Sequence, residues 1–358
     1  MQQGIPMASS QRKPLSIALQ GGGSYGAYAA GVLDTILASR RVHVAQLSGT
    51  SAGALNAAIV ASALAGASPA EARRRLRSFW SAIAAPAVAD LGRPVWGPLE
   101  QSWRENVALW LGARALSPYQ LNPLGLDPLR DVIAAHVDLD ALRHAIPLSV
   151  TVTNVRTGLP RVFRNGDVSL DALVASASLP QLFQAVEIDG EPYWDGGYSG
   201  NPTLRTLVDE HGDRDVLIVQ LTPNGAVDAP RDAAGIQRRV NEIVFNASLV
   251  AEIQSLAALR EMSRRGTDVN GMRNLRLHRI GPPPAGVLAA GSPLDRSPAW
   301  IDRLAESGRR DGRRFLARHH ADLGVRETLD LSAFAAGPAP AATRARPASR
   351  DAAGPGTA

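Results

Sequence analysis

A chain of 358 residues, 45% hydrophobic and 20% charged, has the make-up of a folded globular protein with room for one large domain or two ordinary ones. Its net charge of +5 is carried by arginines interleaved with acids, with Lys13 the only lysine, which gives a mild attraction for anionic surfaces and no nucleic-acid-binding block. The absence of cysteine excludes disulfides, thiolate metal sites and thiol nucleophiles.

In chain order, residues 1–13 read as a disordered polar tail without a basic-then-apolar leader pattern. No run approaches the roughly 18 uninterrupted apolar residues of a membrane span, so a soluble, cytoplasmic chain is expected. LSIALQ (15–20) is a strand that ends in a glycine cluster, GGGSYG (21–26), and leads into the helical pattern AYAAGVLDTILAS (27–39). VAQLS (44–48), GTSAG (49–53) and the alanine-rich 54–67 repeat the order strand, glycine turn, helix. IPLSVTVTNV (146–155) and DVLIVQLT (215–222) are further strands, with helices expected at LDALVASAS (170–178) and PTLRTLVDEH (202–211). Between those helices, EIDGEPYWDGGYSGNP (187–202) predicts a hairpin that turns at Asp189 and Gly190, then a strand delivering Asp195 into a glycine-rich loop.

Strands apolar on both faces, alternating with helices, predict an α/β fold with a mostly parallel sheet covered on both sides. Two long helical patterns, near 232–264 and 298–320, are separated by LRLHRI and the breaker GPPPAG (281–286) and make a helical extension over about 232–330. Residues 335–358 lack large apolar side chains and read as a disordered tail. With no internal repeat and no clear linker, one domain over 14–334 is expected, its motif-bearing core at about 15–222.

Gly21 to Gly26 satisfy a GxGxxG pattern after a strand and before a helix, the setting of a dinucleotide-binding loop. That reading needs an acid about 20 residues on to hold a ribose, and the second strand instead ends in Leu47 and Ser48. The alternative is an oxyanion hole, in which the backbone N–H groups of Gly21, Gly22, Gly23 and Ser24 face a developing negative charge. GTSAG fits a nucleophile elbow: Ser51 on a strained turn, with glycine at 49 and 53 because side chains two residues either side would collide.

An activated serine needs a base. The histidines are His43, His136, His144, His211, His278, His319 and His320. His43 begins the strand that ends at Ser48, about 17 Å away at roughly 3.3 Å per residue. His211 closes a helix at the wrong sheet edge, and His319 and His320 sit in an arginine-rich surface helix. Asp189 is explained as a turn residue, whereas Asp195, followed by two glycines, is not. A carboxylate taking the Ser51 proton directly is a weak base at its usual pKa near 3.9, so it requires partial desolvation and a strong oxyanion hole.

The ordered set Gly21–Gly26, Gly49-Thr50-Ser51-Ala52-Gly53 and Asp195-Gly196-Gly197 resembles the patatin-like phospholipase family over about residues 15–222. ASASLPQLFQAVEIDGEPYWDGG (175–197), with Pro180 and Phe183, resembles that family's approach to its aspartate. The resemblance implies a three-layer α/β/α fold and a lipid acyl hydrolase, with Ser51 as nucleophile, Asp195 as base and second dyad member, and Gly21, Gly22 and Gly23 as the oxyanion loop. The family's loop commonly carries Arg or Lys where this chain has Tyr25, and an Asp where it has Gln20, which bears on the headgroup accepted more than on the dyad.

Trp96, Trp103 and Trp110, with Leu99 and Val107, fall on one face of a helical pattern that either packs on the core or caps an acyl groove and touches lipid. The arginines at 303, 309, 310, 313, 314 and 318 form a solvated face or a contact for anionic lipid. The expected partner is a lipid or phospholipid substrate with peripheral membrane contact and no nucleic acid; no metal-ligand pattern occurs, so no cofactor is expected. Acyl transfer by the same dyad, a dinucleotide-binding oxidoreductase and a lipid-binding protein without chemistry stand as alternatives.

Overall fold

Leu15, Ile17 and Leu19 of β1 (Lys13–Leu19) enter one core while Ala18 enters a second, as a strand that is apolar on both faces requires of its sheet. The computed structural model describes residues 12–85, 117–123, 125, 127–208, 215–226, 228–268, 271–331 and 334. Among the described residues eight strands form one sheet: β1, β2 (Val42–Thr50), β3 (Leu148–Asn154), β4 (Pro160–Arg164), β5 (Val186–Ile188), β6 (Glu191–Asp195), β7 (Asp215–Val219) and β8 (Arg276–Ile280). Their order is β5-β6-β3-β2-β1-β7-β8, with β4 also paired to β3. The β3-β2-β1-β7-β8 run is parallel throughout, and β4, β5 and β6 add the antiparallel edge.

One face of the sheet is covered by α1 (Gly26–Ala38), α2 (Ala52–Gly66), α3 (Pro69–Ala84), α4 (Pro128–His136) and α5 (Leu170–Ser176), whose buried residues join Ile17, Leu47 and Val150 in the larger core. The other face carries α6 (Ala233–Arg265), which buries Leu249, Ile253 and Leu256 against Val216, Ile218 and Leu277. This is the three-layer α/β/α arrangement with a mostly parallel sheet. By length and composition alone α6 could cross a membrane, but its middle turns form a layer of the fold, while Ile236, Val240, Ile243 and Val244 are exposed.

Two expectations change. LRLHRI forms β8, parallel to β7, so the segment after 232 adds a strand to the main sheet as well as helices. α7 (Pro298–His319) then crosses α1 closely: a Cβ on Gly31 would lie 2.0 Å from the Ala305 carbonyl oxygen, and one on Gly308 2.0 Å from that of Tyr28. Where a helix is expected over 202–211, the described part, 202–208, makes one 3-10 turn at Arg205–Leu207. Leu204 and Leu207 sink into the second core, and the Glu252 carboxylate accepts the N–H groups of Leu204 and Arg205, capping the start of that turn.

The arginine face of α7 is solvated, with Arg309 and Arg313 paired to Glu306 and Arg314 to Asp311. The tryptophan face at 96–112 lies outside the described residues.

Candidate functional site

Strand register brings Ser51 and Asp195 together. β2 runs parallel to β3 along Leu148–Thr151, and β4 occupies the other edge of β3 from Ser149 to Thr153. β6, paired with Val152–Asn154, therefore takes up the β2 edge where β2 leaves it. Thr50 stands opposite Thr151 and Asp195 opposite Val152, so the residue after Thr50 and the last residue of β6 meet end to end. Gly196 confirms the approach: a Cβ there would lie 2.1 Å from the Thr151 carbonyl oxygen and 2.9 Å from the Thr50 methyl.

Ser51 holds φ 55° and ψ −131°, a strained conformation for a residue with a side chain. The flanking glycines are sterically required. A Cβ on Gly49 would come within 2.5 Å of the Gly53 carbonyl oxygen, and one on Gly53 within 2.2 Å of that of Leu19. The chain enters α2 at once, and the first turns of α1 and α2 touch, since a Cβ on Gly26 would stand 2.6 Å from that of Ala52. Two helix N-termini thus add positive potential around Ser51.

The loop at 21–26 packs against the serine, a Cβ on Gly21 lying 2.7 Å from that of Ser51. Of the four expected oxyanion donors, two are committed elsewhere. Gly21 N–H donates to Asn201 Oδ1 at 2.7 Å, and Ser24 N–H to the Pro293 carbonyl at 2.8 Å. Gly22 and Gly23 are left, their N–H groups without an acceptor among the described residues. At the end of β2, Ser48 is buried and its hydroxyl donates to the Thr203 carbonyl, so no acid stands there for a ribose.

Asp195 is fully buried. Its Oδ1 accepts Gly197 N–H at 2.7 Å, while Oδ2 has no partner of full hydrogen-bond geometry. Burial raises its pKa from 3.8 to about 7, against the opposing pull of the Gly197 N–H and the nearby Ser51 hydroxyl. Such a carboxyl can take up and release a proton near neutrality. α6 closes one side: a Cβ on Gly197 would strike the Phe245 ring at 2.5 Å, and Phe245 meets Tyr198 edge-on at 5.3 Å.

Five histidines are engaged elsewhere. His43 Nδ1 faces the Arg12 carbonyl, His136 sits between the Val132 carbonyl and Ser78, and His319 pairs with Asp322. His320 faces the Arg41 carbonyl, and the buried His278 bridges Asp215 and Thr328 across β7 and β8. His211 lies outside the described residues. Asp189, at φ 55° beside Gly190 at 76°, forms the hairpin turn and pairs at the surface with Arg161.

The two departures at the loop also find their reasons. Buried Gln20 accepts the N–H groups of Leu221 and Thr222 through Oε1 and donates to Asn246 through Nε2, a double role a carboxylate could not fill. Tyr25 packs edge-on against Trp300 at 6.2 Å, and burial, then Glu242, push its phenol up to about 12, so it remains a neutral apolar wall. Asn201 and Ser176, whose Oγ accepts Ser51 N–H, escaped the sequence reading although both lie in quoted motifs. Among the described residues no three metal-ligating side chains cluster.

A family model described as patatin-like phospholipase matches residues 17–208. No curated protein matches the chain. Among solved structures, the chain is similar to VipD from Legionella pneumophila, at 15% identity and TM-score 0.42, covering 86% of this chain and 67% of that one. It is also similar to the heterodimeric ExoU-SpcU complex of the type III secretion system of Pseudomonas aeruginosa, at 16% identity and TM-score 0.33, covering 91% and 74%.

Proposed function

The chain belongs to the patatin-like phospholipase family, a family of lipid ester hydrolases, and on that premise we propose that it cleaves carboxylic esters of lipids by a Ser51–Asp195 dyad. The observation that carries this reading is the end-to-end meeting of β2 and β6 on one edge of β3, which sets a strained serine beside a fully buried carboxyl.

The ionised Asp195 takes the Ser51 hydroxyl proton as Oγ attacks the acyl carbonyl. The oxyanion is held by Gly22 and Gly23 N–H and by the two helix N-termini, groups that need no reorganisation as charge develops. The tetrahedral adduct collapses to an acyl-serine, and the protonated Asp195 returns its proton to the departing alcohol. Water then gives a proton to Asp195 and attacks the acyl-serine; release of the fatty acid restores the Ser51 hydroxyl. An alcohol in place of water would make the same chemistry an acyl transfer.

The test is acid release from p-nitrophenyl esters of graded chain length. Turnover should rise with chain length and vanish in Ser51→Ala; a Ser51→Ala variant that retains wild-type turnover would remove the serine from the mechanism.

Asn201 supports the loop from below, taking Gly21 N–H on Oδ1 and donating through Nδ2 to the Phe245 carbonyl. In Asn201→Ala the Gly21 N–H is free to turn and the register of the next two donors is lost. We expect kcat to fall roughly 10- to 100-fold with KM little changed, of the order seen for loss of one oxyanion donor. Steady-state kinetics on a soluble ester checks this, and a raised KM with kcat unchanged would place Asn201 in substrate binding instead.

A further inference from the structure

The end of α5 touches both halves of the site. Ser176 is fully buried. Its hydroxyl accepts Ser51 N–H at 2.9 Å and donates to the Thr151 carbonyl at 2.8 Å. Two residues on, the Ser178 carbonyl accepts Asp195 N–H at 2.9 Å, and the Ser178 hydroxyl donates back to the Val174 carbonyl in α5. One rigid three-residue stretch therefore holds the backbones of Ser51 and Asp195 at the point where β2 stops and β6 begins.

Local chemistry explains why a hydroxyl is needed at 176. At the elbow the chain leaves β2, and the Ser51 N–H and the Thr151 carbonyl are both buried. A side chain that accepts from one and donates to the other meets both needs with a single atom, which serine does and alanine cannot. It also opposes the relaxation of Ser51 out of its positive-φ conformation, which its surroundings must over-determine if it is to persist.

We propose that Ser176 is a positioning residue for the reaction: through its hydroxyl it locks the Ser51 elbow in register with Asp195 and the Gly22–Gly23 donors. It touches no substrate and acts through Ser51. The proposal rests on the dyad reading above.

The test is Ser176→Ala, with kcat referenced to sites titrated to completion by a fluorophosphonate so that misfolded protein does not count. Turnover per titrated site should fall roughly 10- to 100-fold with KM within about twofold, the effect of a misplaced reacting group. The acid limb of the pH–rate profile should move to higher pH, because a Ser51 hydroxyl drawn away no longer helps to hold the Asp195 pKa down. Ser176→Cys is nearly isosteric with a weaker acceptor, and its expected loss is about 3- to 10-fold; it serves if the alanine variant does not fold. Wild-type turnover per site and an unmoved pH profile in either variant overturn the proposal. Failure of the dyad itself reads differently, as activity surviving in Ser51→Ala whatever Ser176 does.

Discussion

Asp195→Asn should lose activity and gain stability together. The amide cannot accept the Ser51 proton, so kcat should drop roughly a thousandfold while the oxyanion loop stays in place. Stability moves the other way because burial places the folded-state pKa of Asp195, about 7, above its ordinary 3.8. The stability this group contributes is fully present below the unfolded value and is lost as pH rises through the folded one. A gap of that size corresponds to about 4 kcal/mol of destabilisation once both states are ionised. Asparagine is free of that cost. Its Tm should therefore exceed that of the wild type, by a margin that widens from about pH 4 to about pH 7 and then levels off. Thermal melts of both proteins across that range check the prediction; a margin independent of pH would mean that Asp195 is not the buried titrating group.

The wild-type pH dependence should be correspondingly steep. A base with a pKa of about 7 is ionised in only about one molecule in a hundred at two units below it, so kcat/KM at about pH 5 should be roughly 1% of its plateau. The slope should approach tenfold per unit below about pH 6. kcat/KM on a soluble ester whose own hydrolysis is corrected for measures this directly. A limb centred near 4 would point to an exposed carboxylate as base. Burial supplies the upward push, and the Gly197 N–H and the Ser51 hydroxyl set how far it goes.

These effects follow from contacts of very different sequence range, which is also why the sequence disclosed some of the site and hid the rest. The elbow was legible because its reason is largely local: glycine at 49 is forced by backbone atoms four and five residues away, and glycine at 53 by the end of the adjoining strand. Asp195 was legible by elimination, since the Asp189–Gly190 pair has the composition of a two-residue hairpin turn and adopts positive φ at both positions. The main strands were legible because runs apolar on both faces have few other places to go.

Donor allocation was not legible. GGGSYG offers four equivalent N–H groups on paper, and which two remain free depends on Asn201, 180 positions later, and on Pro293. The Ser176 clamp spans 125 positions. At 202–211 the apolar spacing of Leu204, Leu207 and Val208 suits a helix, yet in the described part, 202–208, Leu204 and Leu207 turn into the second core and Glu252 from α6 caps a single 3-10 turn. LRLHRI read only as a separator between two helical patterns, with three polar residues in six. In the sheet one of those polar positions, His278, is fully buried and bonded to Asp215, a pairing invisible until β7 and β8 lie side by side.

The measurement that bears most directly on the account is covalent labelling by a fluorophosphonate, with the modified residue located by mass spectrometry. One label per chain is expected, on the peptide that contains Ser51, slowed strongly in Asp195→Asn and abolished in Ser51→Ala. A label on any other residue, or undiminished labelling of Ser51→Ala, would contradict it.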